Sequence, residues 1–160
     1  FEKVTLDMVL KPDAFSMRIG EAIKQQLSQV GIELKLHPTE VTKLVSEFFV
    51  DKKYHACLAL GVGRNDPQQI VDILFGETSF QNAGKYKNAA LTSLMNEARA
   101  TMDQNERAEL YSKITNLAIV EEAINVPLFF EPSIVAMKPN IKGYEAGLGK
   151  PKFTKLWYSQ

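Results

Sequence analysis

A chain of 160 residues suffices for one domain with a real core, and 45% hydrophobic with 24% charged residues is ordinary globular composition. Nineteen Lys+Arg balance nineteen Asp+Glu, so the net charge is zero. That balance argues against nucleic acid as a partner, because binding along a phosphate backbone needs an excess of cations, and no RNP, zinc-finger or basic-zipper pattern is present. The single cysteine, Cys57, excludes an intrachain disulfide and a Cys-rich metal site. It lies in the apolar run "ACLALG" and reads as a small buried hydrophobe. His37 and His55 lack metal-ligand spacing and read as strand-edge residues, so neither a metal nor a cofactor is expected. No apolar run approaches a membrane span. The chain begins "FEKVTLDMVL" without an initiator Met or a signal peptide, so it reads as a mature piece or an excised segment.

The elements follow in order. "VTLDMVL" (4–10) alternates at Val4, Leu6 and Met8 and predicts a strand. After "KPDAF", Ile19, Ile23, Leu27 and Val30 fall on one helix face between Ser16 and Val30, with Gly31 placed to stop it. "IELKLH" (32–37) alternates again, and two parallel strands joined by a helical crossover is the economical reading. Pro38 and Thr39 predict a helix start, with Thr39 as N-cap and Leu44, Val45 and Phe48 inward. "YHACLALGV" (54–62) is nearly continuous apolar sequence, the pattern of a strand covered on both faces. A helix is expected after Pro67 through Ile70, Ile73 and Leu74.

The polar stretch "GETSFQNAGKYKN" (76–88) reads as a surface loop. Asn88 can cap a helix carrying Leu91, Leu94, Met95 and Ala98. "DQNE" (103–106) has capping-box form and opens a long helix with Leu110, Ile114, Leu117 and Ala118 on one face. "INVPLFF" (124–130), "SIVAM" (133–137) and "FTKLWY" (153–158) are strand candidates. The βαβαβα order predicts an α/β domain with a mainly parallel sheet flanked by helices. In such sheets, ligands meet loops at the carboxyl ends of strands. The stretch "GVGRNDP" (61–67) occupies that place. Gly61 and Gly63 permit unusual backbone angles, Asn65, Asp66 and Pro67 can start a helix, and Arg64 can project outward.

Enzyme chemistry has little support. Ser16, His37, His55 and Cys57 form no nucleophile pattern, and "GVG" belongs to neither GxGxxG nor GxxxxGK[ST]. Glu121 and Glu122 are neighbours that point about 100° apart on a helix, as solvated surface residues do.

The order of pieces resembles a known family. "RIGEAIKQQLSQVGIELKL" looks like a helix ending in "L...GI.V.L". "DKKYHACLALGVGRNDPQQI" resembles an aromatic-led strand running into a loop that ends in Asp/Glu-Pro. The stretch from "NAGKYKN" to "VPLFF" is similar to "N...Y.N...D.L...A....D...R..LY..I...L.E.A...PL", and "NIKGY" to "V.GY". This ordered set resembles the C-terminal lobe of ABC-transporter substrate-binding proteins of the peptide, dipeptide and nickel type. The resemblance implies a periplasmic-binding-protein-like lobe over residues 1–128 and a hinge strand with a terminal segment, 129–160, belonging to an absent first lobe. It also implies capture of a small-molecule or short-peptide ligand, an ABC permease as partner, and a periplasmic or extracytoplasmic location. Candidate ligand contacts are Arg64, Asn65, Gly63 and Val62, with Asn82 and Tyr86 of the later loop. In peptide-binding relatives the 61–67 loop often carries a Trp and an Asp that meets an ammonium group. Arg64 stands at about that place, and its planar fork suits an anionic or hydrogen-bond-accepting group instead. The apolar residues within 131–160 need a surface, so without a first lobe they are expected to fold back, exchange between chains or pair in a dimer, leaving the segment mobile or used in self-association. A free-standing protein-interaction domain using the hinge face is the alternative.

Overall fold

A computed structural model describes residues 4–61, 63–132, 134–145 and 152–159. The first strand, β1 (Val4–Leu10), forms where the period-two pattern predicts it. Only its carboxyl end is buried, with Met8, Val9 and Leu10 covered and Val4 exposed. Helix α1 (Ala14–Gln29) starts at Asp13, whose carboxylate accepts from the Ser16 N–H at 2.8 Å and from the Ser16 hydroxyl at 3.0 Å. Gly31 ends the helix with φ 81°, a left-handed angle that favours glycine. Strand β2 (Ile32–Pro38) then pairs parallel with β1 in continuous register from Val4–Ile32 to Leu10–Pro38. Gly20 lets α1 lie close on this pair. A Cβ there would sit 2.9 Å from Leu10 Cδ1 and 3.2 Å from Leu36 Cδ1.

Two predicted boundaries shift. Pro38 stays in β2, and the Thr39 hydroxyl donates back to the His37 carbonyl instead of capping a helix. The cap position is Glu40, ahead of α2 (Val41–Val45) and a π-helical turn, Ser46–Val50. The strand expected over 54–62 is only β3 (Ala56–Cys57), parallel to Met8–Val9, giving the order β2-β1-β3. Pairing stops because β1 runs out. Leu58 N–H reaches the Val9 carbonyl, the last β1 acceptor on that side, while the Leu10 carbonyl faces β2 and accepts from the Thr39 N–H. Leu60, apolar in sequence, is 53% exposed.

The chain divides into two compact units. The first contains Phe1–Gly61 and Glu77–Tyr86, and its core centres on Val9, Leu10, Leu34 and Leu44. Glu47, buried on the π-helical turn, accepts from the Lys53 ammonium at 2.9 Å and the Tyr54 hydroxyl at 3.0 Å. Phe80 brings the later loop onto this unit by stacking on Phe49, with ring centroids 5.2 Å apart.

The second unit contains Val62–Gly76 and Lys87–Gln160. Helices α3 (Pro67–Phe75), α4 (Ala89–Ala100) and α5 (Gln104–Thr115) supply its core from Val71, Phe75, Leu91, Met95, Ala98, Leu110 and Ile114. Asn88 caps α4 by accepting from the Leu91 N–H, and Asp103 caps α5 by accepting from the Asn105 and Glu106 N–H groups, as their spacing predicts. A π-helical turn, Asn116–Glu121, continues α5.

The carboxyl-terminal strand predictions need correction. No strand forms over 124–130, where Phe130 is 100% exposed. Residues 134–137 form none either, and Ser133 lies outside the described residues. Apolar composition alone supplies no partner for the backbone groups. The strand expected over 153–158 is reduced to β5 (Trp157–Tyr158), after a 3-10 turn at Phe153–Lys155. It pairs antiparallel with β4 (Ile141–Lys142). Gly143, with φ 80°, fits this ribbon because any Cβ would strike the Lys155 carbonyl. Among the described residues, no helix is long and apolar enough to cross a membrane.

Candidate ligand-binding site

The loop after β3 ends in a well-fixed corner. Asp66 takes extended backbone angles, accepts from the Gln68 N–H at 2.8 Å and leaves Pro67 at the first helical position. This is the helix start that Asn-Asp-Pro predicts. Arg107 of α5 holds the same carboxylate. Its Nη2 lies 2.8 Å from one Asp66 oxygen and 3.1 Å from the other, while its Nε–H donates to the Ala98 carbonyl at 3.1 Å. The Arg107 guanidinium also lies over the Tyr111 ring, 5.2 Å from its centre. Hydrogen bonds from Arg107 and then from the Gln68 N–H hold the Asp66 carboxyl below its ordinary value. Asp66 in turn raises Arg107.

A second layer supports this corner. The Tyr111 hydroxyl donates to Gln68 Oε1 at 3.1 Å, and Gln68 Nε2 donates to Asp72 Oδ1 at 2.7 Å. Arg99 Nη2 meets the same Asp72 oxygen at 2.8 Å. Gln68 is buried, so its carboxamide satisfies both of its ends inside the unit.

Gly63, Arg64 and Asn65 are exposed, and Val62 lies outside the described residues. Arg64 has no ion-pair or hydrogen-bond partner among the described residues. The expected role of Gly61 is absent. Its φ is not left-handed, and a Cβ there would meet nothing within 4 Å.

Asn82 is 5% exposed, and its carboxamide closes the later loop. Asn82 Nδ2 donates to the Tyr86 carbonyl at 2.8 Å, and the Tyr86 N–H donates to Asn82 Oδ1 at 2.9 Å. Tyr86 is half-buried. These two residues come together in the first unit, whereas Gly63, Arg64 and Asn65 belong to the second.

The other titratable candidates have local roles. His37 Nε2 lies 2.7 Å from Asp7 Oδ1, and the Asp7 N–H donates to His55 Nδ1 at 3.0 Å, so both histidines are tied to β1. Burial pushes the Cys57 thiol up to about 11. No cluster among the described residues has the composition to hold a metal ion.

No protein-family model matches the chain. Over 80 residues, half of its length, it is 29% identical to YgiS of Escherichia coli K12, a probable deoxycholate-binding periplasmic protein, and covers 15% of that protein. It superposes on the ABC transporter substrate-binding protein CtaP of Listeria monocytogenes with TM-score 0.67 and 26% identity, over 78% of this chain and 26% of that one. With the oligopeptide-binding protein AppA of Bacillus subtilis, solved in complex with a nonapeptide, the TM-score is 0.79 at 21% identity. That match covers 98% of this chain and 32% of AppA. The chain has the fold of ABC-transporter substrate-binding proteins. It spans about a third or less of each of these substrate-binding proteins.

Within this substrate-binding-protein fold, Arg107 is the residue that reading the sequence missed. It lies 41 positions from Asp66. Its one signal is its place as the arginine of the "D...R..LY" pattern, which carries no indication of the carboxylate it meets.

Proposed function

We propose that the chain is the C-terminal lobe of a two-lobed solute-capture protein serving an ABC importer. It binds a peptide-like or other small polar solute without covalent chemistry, in a cleft completed by a first lobe, and presents it to a permease outside the cytoplasm. Residues 1–128 form the ligand-binding lobe, and 129–160 return to the first lobe. The observation that carries this reading is Arg64, an exposed guanidinium with no partner among the described residues, on the loop leaving a parallel strand. It faces a carboxylate or a comparable acceptor on the solute, with Asn65 as an auxiliary contact and Gly63 beside it. Deoxycholate and peptides both carry a carboxylate, the group that an arginine fork recognises.

The test is Arg64→Ala in the complete two-lobed protein, titrated calorimetrically with deoxycholate and with a free-acid nonapeptide. A charge-assisted hydrogen bond of about 1.5–3 kcal/mol predicts roughly 10- to 100-fold weaker binding of whichever probe binds. Arg64→Lys recovers only part, because the fork is lost. Unchanged affinity with an intact fold removes Arg64 from the cleft.

A second reading draws on the exposed apolar residues Val126, Phe129, Phe130 and Ile134. They suit a free-standing domain that binds another protein through the hinge face. A reading frame that starts near Phe1 favours that domain, and one that encodes a further lobe upstream favours solute capture.

A further inference from the structure

Between Asp51 and Glu77 the chain has two acidic residues, Asp66 and Asp72. Both are engaged by arginines from other helices. Asp72 meets Arg99 of α4 at 2.8 Å, and Asp66 meets Arg107 of α5 at 2.8 and 3.1 Å. Arg64, two residues before Asp66, has no partner among the described residues. Two residues of chain span about 7 Å at most, well inside the reach of an arginine side chain. A free Asp66 carboxylate is therefore the natural internal partner for Arg64, and Arg107 occupies it.

We infer that Arg107 is a positioning residue for solute binding: by engaging Asp66 from α5, it keeps the carboxylate nearest in the chain away from Arg64 and leaves that guanidinium open to an anionic solute. The inference rests on Arg64 as the solute contact. It adds a regulation of that contact by an internal competitor. The Arg107–Asp66 geometry suits this role. One nitrogen spans both carboxylate oxygens, the Nε–H is anchored on the Ala98 carbonyl, and Tyr111 lies against the guanidinium face.

The experiment reads Arg64 directly and needs no ligand. The 160-residue chain is treated with phenylglyoxal, which modifies accessible guanidinium groups, and the rate at Arg64 is followed by peptide mass spectrometry. Arg107→Met frees Asp66, which then pairs with Arg64 and slows its modification about two- to five-fold, the shift an exposed ion pair can drive. The double variant Arg107→Met/Asp66→Asn removes the competitor and restores the wild-type rate. The asparagine side chain still offers an oxygen to the Gln68 N–H, so the start of α3 survives. Circular dichroism checks the fold. If Arg107→Met does not fold, Arg107→Lys takes its place, since a single ammonium loses the Nε–H anchor and holds Asp66 less well. A folded Arg107 variant with an unchanged rate at Arg64 overturns the inference. So does a slowing that Asp66→Asn fails to reverse, which would mark Arg107 as merely structural. Neither result touches the solute-capture reading, which stands or falls on Arg64→Ala affinity.

Discussion

Replacing Asn82 separates a ligand contact from a loop clamp. Its carboxamide makes two hydrogen bonds to the backbone of Tyr86, at 2.8 and 2.9 Å, with the side chain almost wholly buried. Each such bond contributes about 0.5–1.5 kcal/mol net, so Asn82→Ala should destabilise the chain by about 1–3 kcal/mol. Asn82→Asp keeps an acceptor for the Tyr86 N–H but turns an oxygen toward the Tyr86 carbonyl. Two acceptors then face each other in a buried site, so the loss should be at least as large. Urea unfolding gives the stability change, and amide exchange at Tyr86 reports the clamp itself. Both variants should speed exchange at Tyr86. A variant with unchanged Tyr86 exchange and an unmoved unfolding midpoint, but weakened solute binding in the complete protein, refutes the clamp and makes Asn82 a ligand contact.

Acid should act through Glu47, among other carboxylates. A hydrogen bond from Lys53, and then one from Tyr54, hold its carboxyl below the ordinary value of 4.5, so the folded chain releases that proton at lower pH than the unfolded one. The resulting stabilisation is present above the unfolded value and is lost as pH falls through the folded one. Glu47→Gln should therefore flatten that part of an acid-unfolding curve, and an unchanged acid limb counts against the pairing. Cys57, raised to about 11 by burial, should react slowly with iodoacetamide. Roughly one thiolate in a thousand at pH 8 predicts alkylation about 200-fold slower than at a free cysteine, and a rate matching free cysteine contradicts the burial. Gly143→Ala should open the β4–β5 ribbon, because a left-handed alanine costs about 1–2 kcal/mol before its contact with the Lys155 carbonyl is counted. An unaltered Trp157 fluorescence spectrum would show the ribbon intact.

The sequence was most legible where local chemistry and periodicity agree. The β1–α1–β2 crossover follows from alternation at 4–10 and 32–37 around a single helix face, and the structure pairs the two strands in full register. The caps at Asn88 and Asp103, and the Asp66–Pro67 helix start, were readable because capping joins residues within one turn. Strand length beyond the β1–α1–β2 crossover was not readable. Leu58 to Leu60 and 124–130 are as apolar as a buried strand, but a strand needs a neighbour's backbone groups, and β1 ends at Leu10. Thr39 has the right chemistry for a cap, yet β2 runs on through Pro38, the Thr39 hydroxyl turns back to the His37 carbonyl, and the helix starts one residue later. At the candidate site, Arg64 stood out by its setting between glycines and a helix start. Arg107 did not, because its meaning lies in a contact across 41 residues.

The two units interleave along the chain, and this has a consequence for biosynthesis. The first unit needs residues 77–86, which carry Phe80 to its stacking partner Phe49, but the ribosome delivers 62–76 beforehand. At about 5–20 residues per second, roughly one to five seconds separate the emergence of Gly61 from that of Tyr86. The β1–α1–β2 crossover can form long before that interval ends, since elementary helix and hairpin steps take microseconds. During the wait Phe49 has no Phe80 ring against it, and the π-helical turn that carries it is left with an aromatic face open to chaperones or to a neighbouring chain.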